Sequence, residues 1–270
     1  MMKCVIIFLF TLILLSSCAP EETPITPETK ATEQEVTKVK DTGDFKVIYS
    51  PLRNQNFLEY ESIFKEAKLF ETIAEDLNAV IALPTDITIV LIECGEENAF
   101  YTPDSRQIIM CYELMDHFAG VFYDYTESEE ELGTAMLYSM FFVLYHEMGH
   151  ALVDVLDLPT TGREEDAVDQ LATLVLIESG VEGEDAALTG ATWFGLKGAQ
   201  QTDDLAFWDE HSLDQQRFYD IICLIYGKNP AHSWLIEEGI LPEERAIRCE
   251  QEYLRASNSW DAILAPYTKE

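Results

Sequence analysis

Basic residues are scarce in this chain: 17 Lys and Arg stand against 50 Asp and Glu, a formal net charge of −33. Such a surface repels nucleic acid and gains nothing from anionic lipid, so neither is expected as a partner of the folded part. No Gly-rich phosphate loop appears, which removes the usual support for nucleotide chemistry. Ser128, Ser139 and Ser212 have no nucleophile-elbow context, so an ordinary serine hydrolase has no support either. The six cysteines show neither CxxC spacing nor a Cys/His cluster, and a thiolate metal site is not indicated. Histidines number only five. Their placement is therefore informative.

Two of them fall in Tyr145-His146-Glu147-Met148-Gly149-His150-Ala151, an HExxH sequence inside a long apolar run. Residues four apart on a helix lie one turn above each other, so both imidazoles can reach one metal ion. Glu147 leans to the side, where it can take a proton from the attacking water instead of ligating. Ser128-Glu129-Glu130-Glu131 is a capping-box pattern, and the central helix is expected from about Glu129 to Leu156. That helix is apolar on nearly every side, so its polar residues need a metal or hydrogen-bond partners.

Upstream, Phe45–Tyr49 reads as a strand ended by Pro51, and Phe57 to Ile81 as one long amphipathic helix. Asp86 to Glu93 is β-branched and apolar, a buried strand. A short strand from Asn98, a turn through Pro103-Asp104-Ser105 and a returning strand from Gln107 to Tyr112 form a hairpin. Cys94 and Cys111 are placed on the two arms of that predicted hairpin, and Cys223 and Cys249 on neighbouring predicted helices. We therefore expect disulfides 94–111 and 223–249, which suit an exported domain.

The first residues support export. Lys3 is followed by Val5 to Leu15, apolar except for Thr11, and the segment closes with Leu15-Ser16-Ser17-Cys18. This describes a secretory signal, not a spanning helix. The cysteine after Leu-Ser-Ser resembles a bacterial lipoprotein signal, which implies removal of residues 1–17 and a lipid anchor at Cys18. It also implies the cell envelope, at the outer membrane in a Gram-negative cell, since Ala19 is not aspartate. Residues 18–43, rich in Pro, Thr, Glu and Lys, are expected to form a flexible tether, and 44–270 one domain.

After Pro159-Thr160-Thr161-Gly162 a new helix is expected over Arg163-Glu164-Glu165-Asp166-Ala167-Val168-Asp169-Gln170-Leu171-Ala172. Acids at a helix start can simply face its dipole, but Asp169 lies a turn further on, on the face of Glu165. A glutamate and an aspartate so spaced after HExxH resemble the gluzincin peptidases. The resemblance implies Zn²⁺, one per chain, held by His146, His150 and Glu165, with Asp169 accepting a hydrogen bond from a ligand histidine. The gap between His150 and Glu165 is shorter than in many gluzincins, so Glu164 stays open as the ligand. Asp154 or Asp157 stays open too, as in the aspzincins. The metzincin pattern fails, because its glycine and third histidine are Val153 and Leu156 here.

Asn98-Ala99-Phe100 with the following strand resembles a stretch in CAAX-prenyl-type peptidases and their bacterial relatives. It implies that Ala99, Phe100 and Tyr101 form an edge strand for substrate. His211, just before a predicted helix from Leu213 to Tyr226, is a candidate to stabilise an oxyanion, against a plain role at the helix start. His117 and His232 read as surface or capping residues, and Arg163 as a balance for its acidic neighbours. The motifs together, with Gln215-Gln216-Arg217-Phe218-Tyr219, resemble a bacterial family described only as "putative metallopeptidases". The fold expected is α+β and zincin-like, with a small, mostly antiparallel sheet on the HExxH helix and a helical C-terminal half. A peptide or protein substrate follows. The competing reading is a tethered, non-catalytic binding lipoprotein.

Overall fold

The apolar run that carries the two histidines becomes the central helix of the computed structural model, which describes residues 39–200, 205 and 207–269. Cys18 and the proposed signal lie outside the described residues, as does most of the expected tether. Its last part does not: Thr42 and Gly43 donate backbone hydrogen bonds to Leu83, and Lys269 pairs with Asp41. Among the described residues no helix is long and apolar enough to cross a membrane.

The elements in order are β1 (Phe45–Tyr49), α1 (Leu58–Ala67), α2 (Leu69–Val80), β2 (Ile87–Ile92), β3 (Ala99–Thr102), β4 (Gln107–Cys111) and α3 (Glu113–Phe122). There follow α4 (Glu129–Val155), α5 (Glu164–Glu178), α6 (Val181–Gln200) and α7 (Asp214–Lys228). The chain ends with two single-turn helices, α8 (Trp234–Glu237) and α9 (Glu243–Ala246), and then α10 (Cys249–Leu264). The fold is α+β.

The sheet order is β1-β2-β4-β3, with β1 parallel to β2, β2 parallel to β4, and only β3 antiparallel to β4. The expectation of a mostly antiparallel sheet is thus corrected. Parallel pairing of β1 and β2 is possible because the two helices between them give a crossover long enough to return the chain to the same end. The register aligns Phe45 with Ile87, Ile89 with Ile108, and Leu91 with Met110, and all six side chains are buried. Each contributes roughly 1.5–3 kcal/mol by leaving water. This row is the sheet side of the core.

A second correction concerns the expected single helix from Phe57 to Ile81. Lys68 adopts φ 51°, ψ 41°, and divides it into α1 and α2. A left-handed residue ends the first helix and re-aims the second, so that α2 packs on β1.

Ser128 caps α4 as expected, its hydroxyl accepting from the Glu131 N–H at 3.2 Å. The Glu131 carboxylate in turn accepts from the Glu127 N–H at 2.7 Å, one residue before the usual partner. Helix α4 packs against β3 and β4 on one side and against α5 and α6 on the other. Gly149 permits the α5 contact: a Cβ there would stand 2.7 Å from that of Val168. This close approach sets the start of α5 beside both histidines.

Both expected disulfides are present, with Cα atoms 5.4 Å apart for Cys94–Cys111 and 4.9 Å apart for Cys223–Cys249. The first does not join hairpin arms. Cys94 follows β2, and Cys111 ends its parallel neighbour β4.

Candidate metal centre

His146 and His150 both project from α4 toward the first turn of α5. The His146 Nδ1 lies 2.7 Å from Asp169 Oδ1, and the His150 Nδ1 lies 2.8 Å from Glu164 Oε1. A carboxylate at each Nδ1 holds a proton there, so in the neutral ring, the form that binds a metal, Nε2 carries the lone pair. Both Nε2 atoms face Glu165, at 3.2 Å from His146 to Oε2 and 3.3 Å from His150 to Oε1.

A third imidazole joins them. His211 Nε2 stands 3.0 Å from Glu165 Oε2. Its loop is tied to the start of α5 by Arg163, which donates to the His211 carbonyl, and by Ser212, whose hydroxyl donates to Asp166. Ligand atoms of His146, Glu165 and His211 lie within 4.8 Å of one another and could hold a metal ion. This tight group differs from the sequence-derived set by taking His211 in place of His150.

These residues fit a metal. Glu165 Oε2 is buried, and none of the nearby nitrogens meets it with hydrogen-bond geometry, so it has no partner. A buried carboxylate oxygen without a partner costs free energy as it stands. A borderline cation such as Zn²⁺, which takes nitrogen and carboxylate donors together, would satisfy it. Two of the other candidates are occupied elsewhere: Glu164 holds His150, and Asp154 accepts the Tyr101 hydroxyl at 2.7 Å.

Glu147 is buried, at 7% exposure, and lines the cleft beside the histidines. Strand β3 forms the sheet edge at this cleft, and the Tyr101 backbone N–H faces the Glu147 carboxylate. The cleft has two halves, of about 530 and 370 Å³, which share Asn98, Ala99, His146, Glu147 and His211. The three histidines, Glu147, Glu165 and the strand residues Ala99, Phe100 and Tyr101 thus line one cleft.

Residues 49–264 match the model of a family described as "Putative metallopeptidase". The chain belongs to that family. No curated protein and no solved structure matches it. Membership agrees with a metal at this centre and with peptide hydrolysis in general, and both α4 and α5 fall within the matched stretch.

The electrostatics of this centre are set by acids and imidazoles packed together. Burial pushes the Glu165 carboxyl up, but the histidines around it overcome this and hold it well below the usual carboxylate range. Burial also works against a charge on His146, yet Asp169 and Glu165 raise it to about 9. His150 is raised against burial by Glu165 and Glu164. Burial raises Glu147, partly offset by the two histidines.

Sequence reasoning missed Arg217. Its Nε and Nη2 donate to Asp169 at 2.6 and 2.7 Å, and its guanidinium lies 3.9 Å from the Phe194 ring centroid. The residue sits on α7, far along the chain from Asp169. Asp169 therefore serves His146 and Arg217 at once. Burial works against its ionisation, but Arg217 and His146 lower it from 3.8 to about 2.

Asp169→Ala is expected to cost roughly 3–5 kcal/mol, because it leaves the guanidinium buried without a partner. Thermal unfolding would show this as a fall of about 10 °C. A depressed carboxyl stabilises the fold above its unfolded pKa and loses that share as pH falls through the folded one. The wild-type loss between about pH 4 and pH 2 should therefore be shallower in the isosteric Asp169→Asn. Equal acid limbs for the two proteins would show that Asp169 contributes nothing to acid stability.

Proposed function

We infer that the protein is a zinc-dependent peptidase of gluzincin type, tethered in the bacterial cell envelope through a lipid on Cys18. One observation carries this reading: imidazole Nε2 atoms converge on the orphaned Glu165 carboxylate with Glu147 buried beside them. His146, His150 and Glu165 would hold the ion. When bound, Zn²⁺ supplies Lewis acidity that polarises the scissile carbonyl and makes water more acidic. Glu147 takes the water proton and later delivers it to the leaving amine. Asp169 and Glu164 hold the two histidines by Nδ1, and Arg217 holds Asp169. The substrate backbone lies along β3 at Ala99, Phe100 and Tyr101 in the strand-addition mode. The acidic surface and the tether are consistent with a peptide or protein substrate and with no nucleic-acid partner.

The test is hydrolysis by the zinc-loaded protein of denatured protein and of peptidoglycan side by side. Cleavage of either, abolished by a chelator and restored by zinc, supports the reading. Cleavage of neither sinks it, and preference for peptidoglycan would place the substrate in the wall peptides.

The second reading, a non-catalytic binding lipoprotein, has one observation in its favour. His211 joins His146, His150 and Glu165 as a fourth donor, and four protein donors would close a tetrahedral site as in structural zinc centres. His211→Ala separates the two. If His211 faces the oxyanion, the variant keeps its zinc and loses roughly 10²–10³-fold in kcat. Zinc lost together with fold stability would favour the structural centre.

A further inference from the structure

Glu97, His117 and Trp193 form a chain of contacts that the proposed chemistry does not use. Glu97 lies just before β3, His117 on α3 and Trp193 on α6. His117 Nδ1 stands 2.8 Å from Glu97 Oε2, and the Trp193 indole N–H donates to His117 Nε2 at 3.2 Å. An indole nitrogen can only donate, so Nε2 must accept and the ring proton sits on Nδ1, facing the Glu97 carboxylate. A single neutral tautomer satisfies both ends. His117, a quarter exposed, is thus more than a surface residue; it joins the loop before the edge strand to the helix behind the cleft.

The indole fixed in this way is a wall of the smaller half of the cleft. That space, about 370 Å³, opens on His146 and Glu147 and is walled by Leu114, Phe142, Val143, Trp193 and Phe194. All five walls are at least nine-tenths buried. Trp193 has little room to swing, with the Phe118 ring edge-on at 5.2 Å and the Lys197 ammonium 4.7 Å from its centroid. The charged groups around the opening each have a local contact: Lys197 lies 3.5 Å from Asp214, Asp209 contacts His211, Arg217 is held by Asp169, and Glu97 is turned to the His117 Nδ1. None of these is left over to select a charged group.

We propose that this cavity receives the side chain of a substrate residue beside the cleaved bond, and that Trp193, held by His117 and Glu97, sets a preference for large apolar or aromatic side chains. The proposal rests on the peptidase reading for the words substrate and cleaved bond. Large apolar residues are mostly buried in folded proteins. The substrate class is therefore an unfolded or extended polypeptide.

Equilibrium binding tests this without turnover. The metal-loaded Glu147→Gln protein is titrated with N-acetylated, C-amidated tetrapeptides carrying Phe or Ala at each central position in turn. At one position Phe should bind roughly 10–100-fold more tightly than Ala. Adding Trp193→Ala should bring the ratio close to one. His117→Ala should lower it part of the way, and His117→Gln, with a carbonyl to accept and an amide to donate, should restore it. Zinc content should be the same throughout. A Phe preference that survives both alanine variants overturns the proposal, as does its absence from the parent protein. If circular dichroism shows Trp193→Ala unfolded, the two His117 variants decide. Hydrolysis is read separately on protein that retains Glu147. Phe-selective binding with no hydrolysis would sink the peptidase reading and leave the pocket standing.

Discussion

Glu147→Gln is expected to keep its metal and to lose peptide hydrolysis by roughly 10²–10⁴-fold. The amide has the shape of the carboxylate, so the cleft wall that Glu147 forms is preserved. What disappears is the group that takes and returns a proton. Burial raises the Glu147 carboxyl above its ordinary value, while the charges of His146 and His150 pull it back. A carboxyl raised toward neutrality can accept a proton in one step and release it in the next. The Tyr101 N–H on the edge strand faces the same carboxylate, so a peptide laid along β3 passes beside the base. The measurement is the initial rate on denatured protein with zinc per chain determined on the same sample. An unchanged rate would remove Glu147 from the chemistry. Loss of zinc would instead make it part of the metal's hold.

The parts of this site that were legible in the sequence are local ones. His146, Glu147 and His150 share two helical turns, and Glu165 and Asp169 share the next helix, so spacing alone shows which side chains can meet. Phe45–Tyr49 begins and ends as read, and the central helix starts at the capping pattern that marked it. Strand direction was not legible, because alternation of side chains is the same in parallel and antiparallel pairs. Only the two helices between β1 and β2 carry that information, and the reading merged them into one. Lys68 gave no warning of the break, being neither Gly nor Pro, yet it takes a left-handed conformation. Arg217 and His117 act on partners far along the chain, and nothing beside them in sequence marks a role. For Glu164 the alternatives were ligand or dipole partner. The structure gives it another task, holding the His150 Nδ1.

Removing Glu165 should have the largest effect on the metal. Glu165→Ala is expected to lower zinc affinity by more than about 100-fold, beyond the 10–100-fold typical of carboxylates that only orient a ligand. The reason lies in where the three imidazoles point. His146, His150 and His211 all direct Nε2 at this one carboxylate, and its Oε2 has no other partner. Glu164→Ala is the internal control, since Glu164 touches only the far nitrogen of His150 and should cost about 10–100-fold. Asp154→Ala should leave zinc in place, because that carboxylate is taken by the Tyr101 hydroxyl. Zinc retained in Glu165→Ala and lost in Glu164→Ala or Asp154→Ala would move the third ligand to that residue. A stability readout checks the same point without activity. A metal that binds only the native state raises the unfolding temperature, by an amount that grows with the logarithm of its concentration over its Kd. Zinc should therefore shift the wild-type transition upward and leave Glu165→Ala almost unmoved at the same concentration. An equal shift in both would mean that the ion binds elsewhere on this acidic surface, and the converging histidines would then need another explanation.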